Sequence, residues 1–244
     1  MKVCYTVEGD GKTPLLALPG LPGSVRDFRW LAPALSNDFC FYRLEPPGYG
    51  ESERIGAEPM SVAERGDVVR AMMDHVGLDR CHLVGHSAGS IVAAEVANRW
   101  EERVISCVFL ASPGPTAHYP VKLYRTIMKV AQSAAGRAVL RPVLRFLYAR
   151  LGFPSYLSDD ERLFTTIDAS VQDFDRHRGN LASMRQPALV FWAADDPLIP
   201  ASISELVAPL IRNAEEIRFD TGGHNIQKTR AVEIADELAQ RLIE

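Results

Sequence analysis

The sequence predicts an α/β fold: a mostly parallel twisted sheet with helices on both faces and a helical insertion between two strands. Three observations carry this expectation. Short apolar runs bounded by Gly, Pro, Asp and Ser recur along the chain. Stretches of helical period lie between them, and strands alternating with helices give a parallel sheet covered on both sides. One long segment, 113–184, breaks the alternation.

In chain order, KVCYTVEGDGKTPLLAL has Gly-Asp-Gly at its middle and reads as an antiparallel hairpin at one edge. LLAL before Pro19, FCFYRL before Glu45, CHLV before Gly85 and VISCVFLA before Ser112 follow, then ALVFWA before Ala194 and EIRF before Asp220. Runs this short and this apolar read as strands buried on both faces. VAERGDVVRAMMDHVG places Val62, Val69, Met72, Met73 and Val76 at helical spacing, with Ser61 positioned to cap it. SIVAAEVANRW, ASISELVAPLI and AVEIADELAQRLI are expected to be helices on the same grounds. Within 113–184 helical patches are interrupted by Pro120, Gly136, Pro142, Gly152 and Pro154. Pro142 predicts either two helices, Ala138–Arg141 and Val143–Arg150, or one kinked helix. An insertion of this length predicts a lid or cap, 113–184, over a core made of 1–112 and 185–244.

Bulk composition narrows the function classes. Nearly half of the 244 residues are hydrophobic (47%), enough for a sizeable core, and a net charge of −4 argues against nucleic acid as a partner. The first residues, MKVCYTVEGDGKTP, lack the apolar stretch of a secretion signal, and no run is long enough for an integral membrane segment. A cytoplasmic location is therefore expected. Cys4, Cys40, Cys81 and Cys107 stand singly among apolar or aromatic neighbours, without metal-ligand spacing, and read as buried reduced thiols. No HExxH, EF-hand, dinucleotide or phosphate-loop pattern is present, so no cofactor and no metal is expected.

The chemistry is concentrated in CHLVGHSAGSIVAAEVANRW. In a parallel sheet, sites form beyond the carboxyl ends of the strands, and Ser87 falls there, between a strand and a helix. A strand that turns directly into a helix bends sharply, and Gly85 and Gly89 let the two elements approach without colliding Cβ atoms. The bend presents the middle side chain beside the first N–H groups of the helix, which is the geometry of a nucleophile elbow. The bland alternative is a helix-capping serine in a tight turn.

The residues that accompany this elbow resemble those of the α/β-hydrolase fold family, in its serine-hydrolase, esterase-like branch. GHSAG, PGLPGS at Pro19–Ser24, LEPPGYGES at Leu44–Ser52, WAADDPLIP and TGGHN are similar to that family's elbow, oxyanion loop, acidic signature, acid loop and histidine loop. Glu45 stands where the family has aspartate, and Pro19 where it often has histidine.

A serine hydroxyl needs a base within hydrogen-bond reach and a third group to orient that base. His224 follows the last strand-like run and alone among the six histidines has the position of a base. His75 and His82 belong to a helix and a strand start, His118 and His177 to the insertion, and His86 is expected to point away from the reacting groups. The residues alone leave Asp195 and Asp196 open as the acid, because adjacent side chains diverge; the resemblance implies Asp196, which precedes Pro197. It also implies an oxyanion hole made of the backbone N–H groups of Ala88 and Leu21.

The resemblance implies a cofactor-free hydrolase that cleaves a carboxylic ester or thioester of a small-molecule acyl substrate through an acyl-enzyme. The same apparatus also serves lyases, C–C hydrolases and acyltransferases, and a ligand-binding receptor that retains the triad is a further alternative. In the insertion, Lys122, Arg125, Lys129, Arg137, Arg141, Arg145 and Arg150 occur without an acidic residue between Gly114 and Pro154. Val139, Leu140, Val143, Leu144, Phe146 and Leu147 are expected on the face opposite the arginines. This reads as a solvated basic face, or as a basic lid that favours anionic acyl groups or a lipid surface.

Overall fold

The computed structural model describes residues 1–54, 56, 58–131, 133–151, 153, 155 and 157–243; Gly152 and Pro154, expected to interrupt the insertion, lie outside them. The strands are β1 (Tyr5–Glu8), β2 (Thr13–Leu18), β3 (Phe39–Leu44), β4 (Cys81–His86), β5 (Val104–Leu110), β6 (Ala188–Ala193) and β7 (Ala214–Phe219). They form one sheet in the order β1-β3-β2-β4-β5-β6-β7, parallel throughout except at β1. The helices are α1 (Leu31–Leu35), α2 (Val62–His75), α3 (Ala88–Arg99), α4 (Tyr119–Val130), α5 (Ala134–Arg150), α6 (Asp159–Ser170) and α7 (Phe174–Ser183). Three more complete the chain: α8 (Ala201–Ser204), α9 (Ile226–Thr229) and α10 (Ala231–Leu242).

Strand alternation builds a core on each face of the sheet. Leu16, Leu18 and Leu83 pack with Met72 and Met73 of α2 and Val96 of α3. Leu15, Ala17 and Val84 pack on the opposite side with Leu31 of α1 and Ile234 and Leu238 of α10. Ser61 caps α2 as expected, its hydroxyl accepting from the Glu64 N–H while Glu64 accepts from the Ser61 N–H.

Several expectations need correction. β1 is an antiparallel edge strand, but it pairs with β3 and not with β2, so the first two strands make no hairpin. The Gly-Asp-Gly segment instead crosses the start of β3. A Cβ at Gly9 (φ +86°) or Gly11 would overlap the backbone of Phe39 or Asp38, so only glycine permits the crossing. ASISELVAPLI is not one helix: α8 ends at Ser204 and a separate 3-10 turn covers Ala208–Leu210, as Pro209 requires. β7 is an edge strand with exposed Glu215, Glu216 and Arg218, not one buried on both faces. The four cysteines are free; Cys81 and Cys107 are buried, whereas Cys4 and Cys40 are half-buried.

Between β5 and β6 the chain forms α4 to α7, with no strand among the described residues. α5 runs unbroken through Pro142. Its apolar residues do not share one face: Leu140, Leu144 and Tyr148 are buried, whereas Val139, Val143 and Phe146 are exposed. Tyr124, Leu144, Tyr148, Leu157 and Ala169 form a small core inside the insertion. α7 is fastened to α3, where buried Glu95 receives two hydrogen bonds from Arg176 (2.6 and 2.7 Å) and one from Asn180 (2.8 Å). The basic face of α5 is partly neutralised by α6: Arg141 pairs with Asp160 and Arg145 with Asp159.

Candidate active site

β4 ends at His86, and α3 begins at Ala88, leaving Ser87 alone to make the turn. Its backbone sits at φ 50°, ψ −125°, a conformation that L residues avoid and that adjacent packing must hold. The Ser87 N–H donates to the Leu110 carbonyl at the end of β5 (2.9 Å), and the Ser90 hydroxyl donates to the Gly85 carbonyl (2.8 Å). A Cβ at Gly85 would lie 2.6 Å from Ser90 Cα. One at Gly89 would overlap the Leu18 carbonyl. Both elbow glycines are thus dictated by close backbone approach.

His224 lies in the loop after β7, and Asp196 in the loop after β6. In a parallel sheet these loops open on the same rim as the elbow, and the three side chains meet there. His224 Nε2 is 3.0 Å from Ser87 Oγ, and His224 Nδ1 is 2.8 Å from Asp196 Oδ2. Burial pushes the Asp196 carboxyl up, but the His224 contact and the backbone N–H groups of Ile199 and Leu198 outweigh it, so its pKa lies below the ordinary value. Asp196 is therefore an acceptor. His224 Nδ1–H donates to it, which leaves Nε2 free to accept the Ser87 proton.

Asp195 does different work. Its Oδ1 accepts from the N–H groups of Gly222 (2.8 Å) and Gly223 (2.7 Å), tying the acid loop to the histidine loop. His86 avoids Ser87, yet it does not point away from the site altogether: its Nε2 is 3.0 Å from the His224 carbonyl. Burial, reinforced by the neighbouring His224, holds His86 neutral, with a pKa pushed down to about 3. Its Nε2–H consequently donates to that carbonyl and braces the histidine backbone.

Leu21 and Ala88 line the same 60 Å³ chamber as Ser87 and His224. The Ala88 N–H belongs to the first turn of α3, where N–H groups have no intrahelical partner. Gly20 holds the Leu21 loop against the elbow, since a Cβ there would come 2.9 Å from Ser87 Cβ. With Pro19 in place of histidine, the brace for this loop lies downstream: the Ser24 N–H donates to Asp27 Oδ2 (3.2 Å), and Ser24 Oγ accepts from the Arg26 N–H. Glu45 is buried and acts as a loop strut, accepting from the Glu51 N–H (2.7 Å), while the Ser52 hydroxyl donates to its carbonyl (2.8 Å).

Sequence reasoning missed His118. It precedes α4 and lines the small chamber over Ser87, with burial pushing its pKa down to about 4. Nothing local to the sequence could have indicated this, because the placement depends on how α4 lies across the sheet. His177, also in the insertion, is buried and bonded to the Pro113 carbonyl (3.1 Å). Among the described residues no cluster has the makings of a metal site, and no helix is long and apolar enough to cross a membrane.

A family model described as alpha/beta hydrolase fold matches residues 13–138 and 144–231. The chain is 29% identical over 253 residues to the dihydrolipoyllysine-residue acetyltransferase component of the acetoin cleaving system of Pseudomonas putida, covering 98% of this chain and 65% of that protein. It thus spans just under two thirds of that relative's length. It is 24% identical over 246 residues to the 2-hydroxy-6-oxononadienedioate/2-hydroxy-6-oxononatrienedioate hydrolase of Paraburkholderia phymatum, covering 92% of this chain and 85% of that one. Its fold is that of the enol-lactonase from Burkholderia xenovorans LB400, with a TM-score of 0.79, 16% identity, and coverage of 98% and 96%.

Proposed function

The chain belongs to the alpha/beta hydrolase fold family, and on that premise we propose that it is a serine hydrolase that cleaves a carboxylic ester or thioester through an acyl-enzyme. The observation that carries this reading is the hydrogen-bonded series from Ser87 through His224 to Asp196, at 3.0 and 2.8 Å.

In this reading the Ser87 hydroxyl passes its proton to His224 Nε2 as Oγ bonds to the substrate carbonyl carbon. The carbonyl electron pair moves onto oxygen, which accepts hydrogen bonds from the Leu21 and Ala88 N–H groups. Asp196 stabilises the imidazolium that results. When the electron pair returns, the bond from carbon to the leaving oxygen or sulfur breaks, and His224 gives its proton to the departing atom. Water then repeats the sequence against the acyl-Ser87 ester and releases the acid. No step calls on a cofactor. Asp195 and His86 act as positioning residues, holding the histidine loop in place. The helices of 113–184 act as a cap over a core formed by 1–112 and 185–244.

Labelling with a fluorophosphonate tests the assignment, with Ser87→Ala as the control. Wild-type protein is expected to be labelled on Ser87 and to hydrolyse p-nitrophenyl esters; folded protein left unlabelled at Ser87 contradicts the reading.

A further inference from the structure

Two cavities meet at the residues placed in the oxyanion hole. The small one, 60 Å³, is lined by Ser87 and His224 and by His118, Tyr124 and Phe153 of the insertion. The large one, 340 Å³, lies between α2, α3 and the segment that joins α6 to α7. Neither Ser87 nor His224 lines it, yet Leu21, Ala88 and Gln172 line both cavities. Gln172 is therefore the part of the insertion that stands at the division between them.

Volume differs sharply across this division. The small cavity has less than a fifth of the volume of the large one, which favours the shorter arm of an ester there. The large one falls within the roughly 300–1,000 Å³ typical of small-molecule sites. Its wall is mainly apolar, with Leu44, Val69, Ile91 and Val92 contributing. Its charged residues come in matched numbers, two arginines and two aspartates. Arg65 pairs with Asp168 (2.7 Å), which also accepts from the Tyr49 hydroxyl (2.7 Å), and Arg176 pairs with Glu95. An anionic acyl group would have to compete with these carboxylates, so the chamber suits an uncharged guest.

The direction of the reaction decides which part of the substrate enters which cavity. A leaving oxygen must lie within hydrogen-bond reach of His224 Nε2 to receive its proton. Only the small cavity is lined by His224, so the leaving group belongs there. The acyl chain points the other way from the carbonyl carbon, past Leu21 and Ala88. From this we infer that the enzyme acts on esters joining a bulky, uncharged, apolar acid to a small alcohol, with the acyl group in the 340 Å³ chamber and Gln172 setting the boundary. The inference rests on the assignment of Ser87 as nucleophile. It replaces the basic-lid expectation: the groups that meet the acyl chain are these paired charges and apolar walls, not the exposed arginines of α5.

Two ester series test this, followed by pH-stat: methyl esters of acids from acetate to decanoate, and acetates of alcohols from methanol to octanol. kcat/KM is expected to rise by about tenfold or more along the first series and to fall along the second. Val171→Trp, at a half-exposed position of the large chamber, and Val92→Phe on α3 are each expected to lower the octanoate-to-acetate ratio of kcat/KM by about tenfold. Gln172→Ala is expected to raise activity on acetates of the longer alcohols. Labelling of Ser87 by a small fluorophosphonate, measured on each variant, reports folding and the nucleophile separately. Ser87 labelled with a preference for long alcohols, or with a ratio indifferent to both chamber-filling variants, overturns this inference alone. Failure of wild-type labelling overturns the nucleophile assignment beneath it.

Discussion

The rim of the sheet and the outer face of the insertion use the same kinds of charged residue to opposite effect. At the rim, Asp196 is buried with a directed set of donors: His224 Nδ1–H and the N–H groups of Leu198 and Ile199. On α5, Arg141 and Arg145 meet Asp160 and Asp159 at the protein surface, with both arginines largely in solvent. A charge held from three sides out of water fixes geometry and protonation state. A pair in solvent is screened and exchanges its partner for water at small cost. The proposed chemistry uses the first kind of charge, and the arginines of α5 are of the second, solvent-screened kind.

The sharpest way to break this contrast is to remove the rim groups. In ester hydrolysis Ser87→Ala is expected to lower kcat by about 10⁶-fold. Asp196→Asn is expected to lower it by about 10⁴-fold by removing the group that fixes the His224 tautomer. Asp195→Asn, which keeps the loop but weakens its tie to Gly222 and Gly223, is expected to cost no more than about 10²-fold. An Asp195 effect equal to that of Asp196 would erase the distinction drawn between the two aspartates.

Acid titration comes next in size. His82, His86 and His177 are buried and His118 is half-buried, and burial pushes their pKa values down to about 4, 3, 4 and 4 in the order His82, His86, His118 and His177. The folded state resists protonating them while the unfolded chain does not. Their contribution is complete above the unfolded histidine pKa of about 6.5 and is lost as pH falls below it, by about 1.4 kcal/mol per pH unit for each. Asp27, raised to about 6 by burial, opposes this trend, since its folded form holds a proton the unfolded chain has released. With four such histidines against one aspartate, the net expectation is an uptake of about three protons on unfolding near pH 5. Denaturant midpoints measured on either side of that pH should fall steadily with pH, and His177→Gln should make the fall shallower.

Smaller effects separate the two regions further. Gly89→Ala, forced against the Leu18 carbonyl, is expected to destabilise by about 1–3 kcal/mol in urea titrations and to reduce Ser87 labelling. Arg141→Ala with Arg145→Ala is expected to leave the Tm and the preference between neutral and carboxylate-bearing esters unchanged. A change in that preference would restore the basic lid.

The rim was legible in the sequence because its determinants are local. A serine between two glycines at a strand–helix junction specifies its own bend, and parallel strands deliver the loops after β6 and β7 to the same edge. What escaped the sequence depends on contacts between distant segments. The pairing of β1 with β3 is invisible within KVCYTVEGDGKTPLLAL, because the intervening strand arrives about one loop and one helix later. Which stripe of α5 turns inward is set by α4 and α6, so Leu140 and Leu144 could not be told from Val139 and Val143. The aspartates that neutralise the arginines lie just beyond the acid-free stretch that made the face look basic. Asp195 could not be separated from Asp196 by residue type, since both reach the histidine loop, one through its backbone and one through its ring.

In the proposed reaction Ser87 becomes covalently acylated. Intact-mass and peptide analysis of protein mixed with a p-nitrophenyl ester and quenched in acid tests it most directly. A mass increase equal to the acyl group is expected, located on Ser87 and absent from Ser87→Ala. Ester turnover that persists in Ser87→Ala, with no acyl adduct on Ser87 of the wild-type protein, would contradict it.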